Sequence, residues 1–311
     1  MADIGATNTR CALLNDKGQE LAPEVFQNAD FTGVEGVLSA YLDHRRATDR
    51  PPIRAALAVA APIVGDTVQM INIDWRFSQT ALKKTLGLQR LVLCNDFAAI
   101  AWGLPQLGPT DLHRVGGGKM VRRATLAALG PGSGFGVSAV VPAAEGWAVV
   151  TGEGGHVSMP ALTREEQDVV ALLRERFGHC SAERLLSGPG LVNLYVTLAE
   201  IAGRGRPTVT AEDVTKLAKQ SEPLARKTLS MFFAMLGTVA GDIALTLGAR
   251  GGVYIAGGIV PRLVDALDRS EFRARFEAKG RYRDYLAPIP TYVITATMPA
   301  FRGLKHLLGY R

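Results

Sequence analysis

At 311 residues, with 47% hydrophobic and 21% charged side chains, the chain is globular and long enough for two cores, which excludes a disordered or fibrous class. Its net charge of +6 is scattered in pairs such as Arg45-Arg46 and Arg122-Arg123, with no basic block interleaved with aromatics; no nucleic-acid partner is expected, and an anionic small molecule suits the charge better. Three widely spaced cysteines, Cys11, Cys94 and Cys180, fit neither a disulfide framework nor a clustered metal site and point to a reducing compartment. The polar start MADIGATNTR has no basic-then-apolar leader, so a cytoplasmic location is expected.

In chain order, Asp3 to Asn15 predicts a strand end, a Gly/Thr/Asn turn at Gly5, Ala6, Thr7 and Asn8, and a returning strand. Small residues there allow backbone N–H groups to approach phosphate oxygens closely, although hairpin turns need the same residues. Thr32-x-x-Glu35 is a capping box for a helix through Val34, Val37, Leu38, Tyr41 and Leu42, and Pro51-Pro52 ends that unit. Ile53 to Ala60 is an apolar strand leading to a hairpin turn expected at Gly65-Asp66. Asn72, Trp75 and Phe77 lie in a loop before a helix that Ser78 caps and Gly87 ends.

Leu91 to Cys94 is then a buried strand that stops at Asn95-Asp96. In open α/β sheets ligands gather beyond the carboxyl ends of strands, so Asp96 is a candidate catalytic acid or base; the bland alternative is an ordinary helix N-cap.

After a crossing segment, Pro105 to Lys119, the opening repeats. Thr125 to Leu129 is a strand, Gly130 to Gly136 a turn containing Gly132, Ser133 and Gly134, and Val137 to Val141 a returning strand. A Rossmann fingerprint is rejected, because the segment after the turn continues as β-branched strand where a helix is required. The strand from Trp147 leads to TGEGGHVSMP, a glycine-rich, non-helical loop in which Glu153 and His156 can converge on a polar ligand. Thr163-x-x-Glu166 caps a helix, Glu183 precedes a helix start at Ser187, and two more helices follow. Leu229 to Leu247 is apolar enough to suggest a membrane span, but Asp242 and its glycines favour a buried helix, and no membrane partner is expected. Val253 to Ala256 enters a Gly257-Gly258 turn suited to an anion or nucleotide. A strand from Tyr292 and a helix over 300–308 close the chain.

As an ordered set, DIGATNTR, AAPIVGD, the Asn72/Trp75 loop, CNDF, GPGSGFG, GEGGHV, SAERLLSGPGLVNLY and GGVYIAGGIVPR resemble bacterial glucokinases, of the hexokinase, actin and Hsp70-type ATPase superfamily. The resemblance implies an α/β, two-lobed ribonuclease-H-like (actin-like ATPase) fold, with mixed sheets flanked by helices and a central cleft. The expected domains are 1–106 with 297–311, and 107–296. It implies ATP-dependent phosphorylation of D-glucose to glucose 6-phosphate, with Asp96 as general base. Asn95, Glu153, His156 and Glu183, and also Asn72, are then sugar ligands. Gly5, Ala6, Thr7 and Asn8, with Gly132, Ser133 and Gly134, are phosphate turns, and Gly257 and Gly258 seat the nucleoside. Asp3 is expected to hold Mg2+ through water, and a homodimer is expected.

The sequence departs from that pattern in places. Only Met1-Ala2 precede Asp3, so the first strand is expected to be clipped, either because the start lies inside a longer gene or because the chain loses sheet pairing beneath its turn; Ala6 stands where Gly is common; Phe301 and Arg302 replace small residues. The alternative these departures suggest is a catalytically impaired sugar-binding regulatory protein of the same fold.

Overall fold

The computed structural model describes residues 1–45 and 52–310, so Pro51 of the expected Pro51-Pro52 break lies outside the described residues. The chain divides into two compact units, one formed by Met1–Leu107 with Thr297–Arg311, the other by Gly108–Ala296.

In the first unit, β1 (Ala2–Ile4), β2 (Asn8–Leu14), β3 (Glu20–Gln27), β4 (Arg54–Val59) and β7 (Arg90–Asn95) form a five-stranded sheet in the order β3-β2-β1-β4-β7. Strands β3, β2 and β1 run antiparallel, whereas β1, β4 and β7 run parallel. Strand β1 is only three residues long, yet it does not lose its pairing. It sits in the centre of the sheet, bonded to β2 on one side and β4 on the other, because Ala2 and Ile4 are fully buried and lock the register. Helix α1 (Val34–Arg45) packs Val34, Val37, Leu38 and Tyr41 into the core, as its spacing predicts. Strands β5 (Thr67–Gln69) and β6 (Arg76–Ser78) pair as a small separate hairpin, followed by α2 (Gln79–Thr85), which Ser78 caps through Ala81 N.

The expected turn at Gly65-Asp66 is displaced: the chain reverses over 70–75, and Asp66 instead accepts bonds from Thr80 N and Oγ1 at 2.9 and 2.7 Å, tying the hairpin to the helix start. Helix α3 (Asp96–Gly103) leaves the end of β7, and the terminal helix (Pro299–Leu307) packs along it with Phe301 and Leu304 buried. The two helices meet at glycines: a Cβ on Gly303 would lie 1.9 Å from the Ala99 carbonyl oxygen.

The second unit repeats the plan. Strands β8 (Leu112–Gly116), β9 (Leu126–Pro131), β10 (Phe135–Pro142), β11 (Trp147–Thr151), β12 (Gly252–Ile255) and β13 (Thr291–Ile294) form a six-stranded sheet in the order β11-β10-β9-β12-β13-β8. Again an antiparallel meander, β11-β10-β9, continues into parallel β9-β12-β13. The duplication expected from the two hairpins thus extends to the first five strands of each sheet. Strand β8 occupies part of the segment taken as a crossing, and it closes the sheet edge antiparallel to β13.

Helices α4 (Arg164–Phe177), α5 (Gly188–Ile201), α6 (Ala211–Lys219) and α7 (Pro223–Leu247) follow the expected order. Thr163 and Glu166 make the reciprocal bonds of the capping box. Helix α7 is long and apolar enough to cross a membrane, but 78% of its most apolar window is buried in this unit, where Phe232, Phe233 and Leu236 are core residues. Short helices α8 (Val264–Asp268), α9 (Phe272–Glu277) and α10 (Arg283–Leu286) were not evident from sequence; the terminal helix is α11.

Candidate active site

In the first unit the three parallel strands end side by side. Asp3, Ala58 and Cys94 are register partners across β1, β4 and β7, so the Gly5 turn and Asp96 leave the same edge of the sheet. Burial pushes the Cys94 thiol up to about 12, and the negative charges of Asp96 and Asp3 push it the same way, which places both carboxylates near that sulfur. Asp3 itself is raised by burial, with the charge of Arg10 opposing; Arg10 Nη1 stands 3.6 Å from its Oδ2 across the β1–β2 ladder.

Asp96 is not the N-cap of α3. Asn95 is: its Oδ1 accepts from Phe97 N at 2.9 Å and Ala98 N at 3.3 Å, while Asp96 occupies the first helical position, its Oδ1 accepting from Phe97 N at 2.9 Å. Asn95 Nδ2 points to the Ala61 carbonyl at 3.5 Å. Asn72 lies exposed in the 70–75 connection between β5 and β6, which also carries buried Trp75.

The turn from Gly5 to Thr9 is held by a residue sequence reasoning missed. Asn28, 1% exposed, donates from Nδ2 to Gly5 O at 2.8 Å, accepts from Thr9 Oγ1 at 2.8 Å, and donates its backbone N–H to Thr7 O at 2.9 Å. Gly5 N closes the turn on Asn8 O at 3.0 Å. Asn28 therefore satisfies the carbonyl side of the turn. The Ala6 and Thr7 amides make no hydrogen bond among the described residues, which is what an anion cradle requires. Ala6 is not among the residues with positive φ, so its methyl sits in an unstrained backbone.

In the second unit the equivalent strand ends bear the other glycine turns. Gly130 and Gly257 are forced to be glycine by each other's strand: a Cβ on Gly130 would stand 2.3 Å from Ala256 O, and one on Gly257, at φ +84°, 2.2 Å from Pro131 O. The turn Gly132, Ser133, Gly134 therefore lies directly against Gly257-Gly258, with Ser133 and Gly258 exposed. Glu183 reaches the same turn: its Oε2 accepts from Phe135 N at 2.8 Å.

The loop bearing Glu153 and His156 is not wholly non-helical, since Gly154–His156 is a single 3-10 turn closed by His156 N on Glu153 O at 3.0 Å. Both side chains are exposed. Gly155 presses on Phe135, where a Cβ would stand 1.9 Å from the carbonyl oxygen, and Ala182 N donates to Val157 O at 2.9 Å. Glu153, His156, Glu183 and the Gly132 turn are thus gathered around one residue, Phe135. Asp3, Asn95, Asp96 and the Gly5 turn are gathered at one sheet edge of the first unit.

Two duplicated mixed sheets, each with a glycine turn at the same point of its meander, are the actin-like ATPase fold, the architecture of solved sugar kinases. A glucokinase from an Antarctic psychrotroph superposes with a TM-score of 0.85 at 34% identity, covering 99% of this chain and 98% of that one. The Balamuthia mandrillaris glucokinase, solved with glucose, shares the fold with a TM-score of 0.82 at 20% identity over 98% of this chain and 92% of that one. The glucokinase of Paramagnetospirillum magneticum is 46% identical over 99% of this chain and 96% of its own length. The glucokinase family model matches residues 1–310. The chain belongs to the glucokinase family, enzymes that phosphorylate glucose at the expense of ATP.

Proposed function

We propose that Asp96 is the general base that accepts the proton of the glucose 6-hydroxyl as the γ-phosphoryl group of ATP arrives. The observation that carries this reading is the capping of α3 by Asn95: the helix start is satisfied by its neighbour, so a carboxylate at the carboxyl edge of the sheet is not needed as a cap. A hydroxyl is a poor nucleophile, and a positioned carboxylate contributes about 10²- to 10⁴-fold by taking its proton. Asn95, Glu153, His156 and Glu183 are the sugar ligands in this reading, and Asn72 is a further sugar contact. Each pairs a buried hydroxyl, and the penalty for an unpaired group gives specificity.

The turns Gly5 to Asn8 and Gly132 to Gly134 hold phosphate oxygens through backbone amides, and Gly257-Gly258 seat the nucleoside. Among the described residues no three His, Cys, Asp or Glu side chains cluster as a metal cage. Mg2+ keeps most of its waters and needs only one or two protein carboxylates, and Asp3 is the carboxylate we assign to it. When bound, Mg2+ neutralises phosphate charge. The two compact units serve as the two domains of the kinase. All three cysteines are free, in keeping with a cytoplasmic location, and a homodimer completes the reading.

The test is Asp96→Asn in a coupled ADP-release assay. Turnover is expected to fall by at least ~10²-fold with the glucose KM little changed; near-normal kcat sinks the assignment.

A further inference from the structure

We infer that Glu183 is also a positioning residue for the phosphate turn, so that glucose bound at Glu183 sets the geometry in which ATP phosphates are held. The inference rests on the reading of Glu183 as a sugar ligand and goes beyond it.

Five hydrogen bonds within the second unit carry it. Glu183 Oε2 accepts from Phe135 N at 2.8 Å, at the point where the turn re-enters β10. Gly188 N donates to Gly132 O at 2.8 Å, at the other end of the turn. Ser187 Oγ donates to Glu183 O at 2.8 Å and accepts from Gly190 N at 2.9 Å, so the segment from Glu183 to Gly188 is locked to the start of α5. The turn's own bond, Gly132 N to Gly134 O at 2.8 Å, completes the frame. The whole turn is therefore clasped at both ends by one short stretch that begins with Glu183.

Gly134 confirms how tightly the carboxylate is inserted: a Cβ there would stand 2.5 Å from Glu183 Oε2. A side chain at position 134 would push the end of Glu183 away from this place against the turn. Glu183 has two oxygens and the clasp uses one, while Oε1 makes no hydrogen bond or ion pair among the described residues. A sugar hydroxyl donating to Oε1 fixes the carboxylate plane and with it the Oε2 contact to the turn. Without the sugar, one hydrogen bond alone restrains a side chain with rotatable bonds. Occupancy of the sugar site is thereby felt at the phosphate turn through a single carboxylate. By linkage the two ligands strengthen each other, typically about 5- to 150-fold for such couplings.

The experiment separates the two jobs with two variants, using calorimetry of the ATP analogue AMPPNP with Mg2+ in the absence of glucose. In Glu183→Gln the amide oxygen still accepts from Phe135 N, so AMPPNP affinity is expected to stay near that of the native protein while the glucose KM rises. In Glu183→Ala both are lost, and AMPPNP binding is expected to weaken about 10-fold or more, the size of a lost charge-assisted hydrogen bond. Native AMPPNP affinity in Glu183→Ala overturns the positioning role and leaves the sugar assignment standing; an unchanged glucose KM in Glu183→Gln overturns the sugar assignment itself. Amide exchange at Phe135 in the unmodified protein provides a readout free of folding effects. Saturating glucose without nucleotide is expected to slow it, and an unchanged rate overturns the coupling.

Discussion

The turn after β1 and the turn after β9 leave their sheets at equivalent points of the same topology, yet they are braced by different chemistry. The first is held by Asn28, a neutral, buried amide whose polar atoms are all spent inside the protein. The second is held by Glu183, a half-buried carboxylate with one oxygen to spare. The contrast extends outward. In the same unit, Glu166 is only 2% exposed and pairs with both terminal nitrogens of Arg275 at 2.8 and 3.0 Å while accepting from Leu162 N and Thr163 N. A neutral brace with every polar atom spent fixes a geometry once, whereas a carboxylate keeps an oxygen to offer.

The strongest way to break that contrast is to remove its buried ion pair. Glu166→Ala strands Arg275 and two backbone donors, and chemical denaturation is expected to show a loss of ~3–5 kcal/mol. The pH dependence has a definite sign. Burial pushes the Glu166 carboxyl up, but the bonds from Arg275, Leu162 and Thr163 together outweigh it and hold the carboxyl below its ordinary 4.5. A depressed carboxylate adds stability above its unfolded value and loses it as pH falls through the folded one. The difference in Tm between the native protein and Glu166→Gln is therefore expected to be largest near neutrality and to shrink below pH 4.5.

Asn28→Ala probes the neutral brace. It leaves the Gly5 carbonyl and the Thr9 hydroxyl without their partner, a cost of ~1–3 kcal/mol for each buried group left unsatisfied. The expected signature in steady-state kinetics is a raised KM for ATP with the glucose KM unchanged, because this brace is not tied to the sugar. Equal weakening of both substrates would erase the distinction between the turns. The smallest effect is expected from Ala6→Gly. The backbone there is unstrained, so the change mainly frees the unfolded chain and should lower stability by ~0.4–1 kcal/mol in thermal melts, with activity retained.

Much of this was legible from residue patterns, for physical reasons that also explain the gaps. The apolar runs that became β4, β9 and β12 are buried and continuous, and the capping boxes at Thr163 and the serine caps at Ser78 and Ser187 mark helix starts through bonds that are present. Strand β3 left no such mark, since this edge strand carries Pro23, exposes Leu21 and Val25 and turns Glu24 to its half-buried face, which is not the composition of a core strand. Strand β8, also at an edge, is short and polar for the same reason. Asn28 was invisible because nothing local distinguishes a buried asparagine with distant partners from one in a loop. Asp96 was ambiguous for the opposite reason. Its neighbour Asn95 is an equally good cap, and only the three-dimensional bonds show which of the two does the capping.

The packing of α11 on α3 has a consequence for how the molecule is made. The helix that begins with Asp96 emerges from the ribosome early, but its cover, with Phe301, Gly303 and Leu304, is translated only after the whole of Gly108–Ala296. Domains generally fold as units during synthesis, so the later-encoded unit is free to become compact while the earlier one still waits for its last helix. The nascent chain therefore carries Asp96 on an unfinished scaffold for most of its synthesis, and that scaffold is completed only in the final steps of translation.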